Sequence, residues 1–174
     1  MQTVANSLKL DYPLDLVLQV THFDLMQNMS SYTKMLGLEE IKLIRFDEHE
    51  DGSHDVEFTV RSKDRLPAFA RSVIKPEMLA WRQIGNWNPE TLTLTLKVVP
   101  HFFRNVVDIR AWKRYTQDSG VVTMEITARI SIGMPGIGGL LEKVVAGELN
   151  KEQRKLLSKI EIEVKNRAKD NKQQ

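Results

Sequence analysis

The chain has 174 residues, 41% of them hydrophobic, enough for one globular domain that buries roughly 70% of the surface its unfolded form would expose. Its 25 basic and 23 acidic residues leave a formal charge of +2 with both signs interspersed, which speaks against a dedicated nucleic-acid binder. The absence of cysteine excludes disulfides, thiolate nucleophiles and cysteine-based metal sites.

In chain order, "MQTVANSLKLDYPLDL" lacks a basic segment followed by an apolar one, and nowhere do about 18 apolar residues run together. The expected setting is therefore soluble and cytoplasmic. Leu8 to Tyr12 alternates apolar and polar, predicting a short strand that Pro13 ends. From Pro13 to Leu36 the spacing turns helical, and Gly37 closes the region, predicting two short helices broken near Thr21 to Asp24, with Thr21 or Asp24 as a cap. "EEIKLIRF" and "HDVEFTVR" flank the Asp51-Gly52 turn signal and predict a hairpin with one wet face.

Pro67 and Pro76 bracket a connector. "EMLAWRQIGNW" and "TLTLTLKVV" then predict a second hairpin, with Leu92, Leu94, Leu96 and Val98 on one face and Thr91, Thr93 and Thr95 on the other. "HFFRNVVDIRAWKRYT" and "GVVTMEITARISI" predict a third, around Asp118-Ser119-Gly120, in which Val122, Met124, Ile126, Ala128, Ile130 and Ile132 share a face. Which side of strands 77–87 and 106–116 faces inward is left open by their irregular periodicity.

Ile137, Leu140, Leu141, Val144, Val145, Leu149, Leu156, Ile160 and Val164 spell a long amphipathic helix to about Ala168, with Gly147 and Asn150-x-x-Gln153 as points of interruption. Residues 169–174 are expected to fray. The sum is a single α+β domain over 1–168. In it a curved antiparallel sheet of about seven strands wraps around a long C-terminal helix, with two short helices after the first strand.

That order, with "ISIGMPGIGGLLEKVV" carrying Pro135, Gly138, Gly139 and Glu142, and with Leu66-Pro67 and the aromatic strand "EMLAWRQIGNW", resembles the START-like or helix-grip superfamily, also called SRPBCC. Within it the chain resembles a bacterial branch of uncharacterised domains. The resemblance covers nearly the whole chain. It implies a cavity between sheet and helix that takes a hydrophobic small molecule, lipid-like or polyketide-like. Some relatives are cyclases or dehydratases and others only bind, and this branch brings no catalytic residues to carry over.

Among individual motifs, the glycines after Ile132 do not make a phosphate site. A P-loop needs Lys and Ser/Thr where Leu140, Leu141 and Glu142 stand, and a dinucleotide fingerprint needs glycine at Leu141. Pro135, Gly136, Gly138 and Gly139 instead read as a turn, or as a mobile loop gating the cavity. "DEHEDGSHD" reads as solvated turn charges and fails as an EF-hand, since Phe58 stands at its twelfth position. His22 and His101 read as structural, with His101 the weak candidate for a general base.

Expected cavity-lining residues are Phe58, Trp81, Phe102, Phe103, Trp112, Met124, Leu141 and Val145, with Arg82 and Arg110 orienting a polar head. No cofactor and no metal is expected. The charged outer face of the last helix reads as solvated, with transient contact to an anionic membrane as the sharper alternative. The functional expectation is non-catalytic binding of a hydrophobic small molecule. The alternatives are a cyclase- or dehydratase-like enzyme in the same cavity and a ligand-free interaction module.

Overall fold

A computed structural model describes residues 1–172. Seven strands, β1 (Gln2–Leu10), β2 (Leu38–Glu48), β3 (His54–Ser62), β4 (Ala80–Asn88), β5 (Thr93–Pro100), β6 (Val107–Asp118) and β7 (Val121–Ile132), form one sheet ordered β1-β7-β6-β5-β4-β3-β2. Every pairing is antiparallel. The chain starts at one edge, crosses to the other through a helical segment, and returns strand by strand until β7 lies beside β1. The crossing segment runs through α1 (Leu14–Leu18), a π-helical turn (Gln19–Asp24), α2 (Leu25–Gln27) and a 3₁₀ turn (Met29–Tyr32). The last element, α3 (Gly138–Lys172), lies over β1 and β7.

Alternation explains the sheet. Val122, Met124, Ile126, Ala128, Ile130 and Ile132 of β7 are all buried, while the residues between them are exposed or half-buried. Val56, Phe58 and Val60 of β3 do the same. Each fully buried Val, Leu or Phe stabilises by ~1.5–3 kcal/mol. An exposed pair such as Arg110 with Asp108, at 3.0 Å, contributes ~1 kcal/mol at most. The inner face therefore holds the elements together.

Several local expectations are corrected. β1 begins at Gln2 rather than Leu8, because its whole length pairs with β7 and its inward Asn6 hides the apolar rhythm. The helical segment does not break near Thr21: Asp24 keeps helical angles and accepts a hydrogen bond from the Gln19 amide at 2.7 Å, so it caps nothing, and the π turn carries the chain through.

Leu92 leaves the β5 ladder with φ of 48°. Residues 101–106 form a turn around Phe103 before β6 begins, and Phe103, at φ 60°, accepts at its carbonyl from Val106 and Val107. The helix α3 passes Gly147 and Asn150 without interruption and continues beyond Ala168 to Lys172. Asn150 and Gln153 do not cap locally, since both side-chain carbonyls accept from the Asn6 amide, at 3.0 and 2.8 Å. These bonds fasten α3 to the edge strand.

Candidate functional site

The inner face of the central strands has two different ends. Toward the β6–β7 turn, Trp87, Leu94, Lys113 and Tyr115 are buried beneath the π-helical turn. Toward the opposite end, Trp81 and Gln83 of β4, Leu96 and Val98 of β5, and Ile109 and Ala111 of β6 face the same way but are only half-buried. An inward residue that water can still touch is incompletely covered, so this part of the sheet is the more open end of its inner face. The helix α3 lies closest to β1 and β7.

The connector 63–75 reaches across from β3 and β4 toward α3. Its Ala70 is fully buried in a second core cluster with Val4, Ile130, Ile132 and Leu141, against which Leu66, Ile74, Ile109 and Val145 pack. Arg65 ties the connector to α3 through Glu148 at 3.2 Å and Glu152 at 3.4 Å.

At the packed end sits a polar cluster inside the core. The Lys113 amine donates to the Thr21 carbonyl at 2.9 Å. The Thr21 hydroxyl donates to the Val17 carbonyl at 2.8 Å, which leaves the Tyr115 hydroxyl to donate to Thr21 Oγ1 at 2.7 Å. His22 Nε2 and His54 Nε2 lie 3.2 Å apart, and His22 Nδ1 has no partner. A bare lone pair costs less than a bare N–H, so the arrangement favours His22 donating through Nε2. His22 also stacks on Trp87, centroids 4.0 Å apart, and His54 stacks on Phe46 at 4.5 Å.

Burial, with Lys113 and His54 nearby, holds the His22 pKa well below the usual histidine range, and burial lowers that of His54. Desolvation brings the Lys113 amine down to about 7 and pushes the Tyr115 hydroxyl up.

Of the residues expected to line a cavity, Phe58 and Met124 point inward but belong to the packed core. Trp81 faces inward on the more open part of the sheet, and its Nε1 is buried without a partner. Leu141 and Val145 belong to the second core cluster beside the connector. Trp112 faces outward, pairing with Thr95 and Thr127 and lying 5.3 Å beneath the Arg129 guanidinium beside a shallow outer cleft of about 240 Å³. Phe102 and His101 are exposed on the 101–106 turn, and Phe103 is half-buried there.

Arg82 and Arg110 also face outward, held by Glu57 and Asp108 at 3.0 Å each, so neither reaches an interior headgroup. Strand alternation fixes all of these outward positions once the register is known. The register itself was readable: counting back from the Ser119-Gly120 turn pairs Lys113 with Ile126, which puts the lysine inside. His54 carried the same signal, standing two residues before Val56 on the inward face of β3, whereas His49 stays outside and pairs with Asp55 at 3.1 Å.

The glycine-rich loop is pinned at its ends. A side chain on Gly138 would collide with the Ile132 carbonyl. Glu142 accepts from the Ile132 amide at 2.9 Å and from the Met1 amine at 2.6 Å. Gly133, Pro135, Gly136 and Gly139 stand exposed, with Gly136 at φ 78°. A separate cleft of about 620 Å³ lies between the crossing helices and the end of α3. Its walls are joined by Tyr32 donating to Glu163 at 2.6 Å and by Arg167 with Asp24 at 3.0 Å.

No curated protein matches the chain by sequence. Solved structures share its fold at low identity. The Zhui aromatase/cyclase from Streptomyces sp. R1128 is 14% identical, with a TM-score of 0.57, over 92% of this chain and 93% of that one. A norcoclaurine synthase point mutant from Thalictrum flavum is 10% identical, with a TM-score of 0.64, over 94% and 96%. A START superfamily protein from Mycobacterium smegmatis is 9% identical, with a TM-score of 0.53, over 91% and 97%. The sheet closed on α3 is thus the START-like, helix-grip arrangement. Residues 17–156 match the family described as protein of unknown function (DUF2505), and the chain belongs to that family.

Proposed function

We propose that this protein binds a hydrophobic small molecule in the hollow floored by β4, β5 and β6 and covered by the connector 63–75, and that it holds its ligand without transforming it. The observation that carries this reading is the half-burial of Trp81, Gln83, Leu96, Val98, Ile109 and Ala111 on an inner face whose next positions are buried. A sheet with no use for that space would fill it, since protein interiors pack like organic solids. Similar proteins of this fold carry names that involve small organic molecules: an aromatase/cyclase, and a norcoclaurine synthase in complex with dopamine and hydroxybenzaldehyde. Entry runs past the connector, which is fastened to α3 through the partly exposed Arg65, rather than past the pinned glycine loop.

Native mass spectrometry of protein purified without detergent tests the reading. A co-purifying apolar species that leaves on organic extraction is expected. Protein that stays empty, and that also fails to take up added apolar compounds, would contradict it.

A further inference from the structure

Building on that reading, we infer that the ligand carries a carboxylate, and that Lys113 is the residue that anchors it: the site takes an apolar acid with its headgroup at the packed end of the hollow. Lys113 sits on the inner face of β6, 5% exposed, two residues from Ala111 on the hollow's floor. That step is roughly 7 Å along a strand, so the two side chains are same-face neighbours. The amine has three donor positions, and among the described residues only the Thr21 carbonyl accepts from it. Among the described residues, no aspartate or glutamate is among its partners. The titratable groups packed around it are Tyr115 on its own strand, His22 on the π turn and His54 on β3, none of them an acid that could balance a charged amine.

A buried amine without a counter-ion costs stability unless it stays neutral or something brings the missing charge. Its depressed titration, near 7, shows the cost of its present surroundings. A carboxylate arriving in the hollow would supply the charge, and the amine would take up a proton as the pair forms. The far end of the floor offers a second donor in want of an acceptor, the buried Trp81 Nε1. From the Lys113 partner Leu94 to the Trp81 partner Pro100 the β5 ladder spans ~20 Å at about 3.3 Å per residue, with Leu96 and Val98 between. That is a largely apolar trough with an amine at its head, the shape of a chain-like acid.

The experiment is competition against the neutral apolar probe N-phenyl-1-naphthylamine, using dodecanoic acid and dodecanol at pH 8 on the wild-type protein and on Lys113→Met. The acid should displace the probe about tenfold more tightly than the alcohol in the wild type, as charge-assisted contacts allow. The preference should fall to within about twofold in Lys113→Met. Calorimetry in buffers of different ionisation heat should show proton uptake on binding the acid to wild type, and none in the variant. Equal displacement by acid and alcohol in the wild type would overturn the carboxylate assignment while leaving the hollow reading intact. An acid preference that survives in Lys113→Met would overturn the anchor. A probe that never binds would overturn both.

Discussion

Burial of Lys113 couples folding to protonation, and the direction follows from where the amine titrates. In the unfolded chain it keeps the ordinary lysine value of 10.5, and in the folded protein about 7. Between those values the unfolded state holds more protons, so stability rises with pH, with a limiting slope of about 1.4 kcal/mol per pH unit. Urea unfolding at pH 7 and pH 9 should show the wild type gaining about 2 kcal/mol more than Lys113→Met over that interval. Equal gains would mean the amine is charged and solvated in the fold. The two buried histidines act on the acid side. As pH falls below the usual value of 6.5, the unfolded chain binds protons that neutral His22 and His54 refuse, so melting temperature should drop from pH 7 to pH 5. The outward arginines define the contrast. Arg82→Ala and Arg110→Ala should each leave probe affinity within about twofold, and Arg110→Ala should leave stability within ~1 kcal/mol because it loses only an exposed pair, whereas Arg82 pairs with a largely buried Glu57.

At the scale of elements, the join between β7 and α3 is fixed by close approach. Gly138→Ala places a methyl group against the Ile132 carbonyl, a backbone atom that cannot swing aside, and should destabilise by ~1–3 kcal/mol in chemical denaturation. Gly136→Ala meets only the strain of a positive φ in open space and should cost less. The strands β3 and β7 were legible in the sequence because their inner residues are apolar and their outer ones polar. β1, β4 and β6 were less so, because they point Asn6, Gln83 and Lys113 inward. Those inward polar residues blurred the same pattern that would have located them. The π turn was read as a break because Thr21 and Asp24 resemble caps, whereas both side chains are engaged within the segment itself.

Across the whole molecule, one sheet face is divided between a buried polar cluster and a half-buried, mainly apolar stretch of β4 to β6, and the functional account stands on that division. Seven strands on a single long helix were readable from element order and turn signals, and the family resemblance added the expectation of a cavity. Which aromatic and basic residues enter it depends on register, so Trp112, Arg82 and Arg110 were expected inside and lie outside, while Lys113 was overlooked. The most direct measurement is N-phenyl-1-naphthylamine binding to wild type and to Ala111→Trp, which fills the middle of the floor from a half-buried position with a bulky side chain. The account predicts saturable fluorescence enhancement in the wild type and its loss in Ala111→Trp, with far-UV dichroism and cooperative unfolding retained. Undiminished probe affinity in a folded Ala111→Trp protein would contradict it.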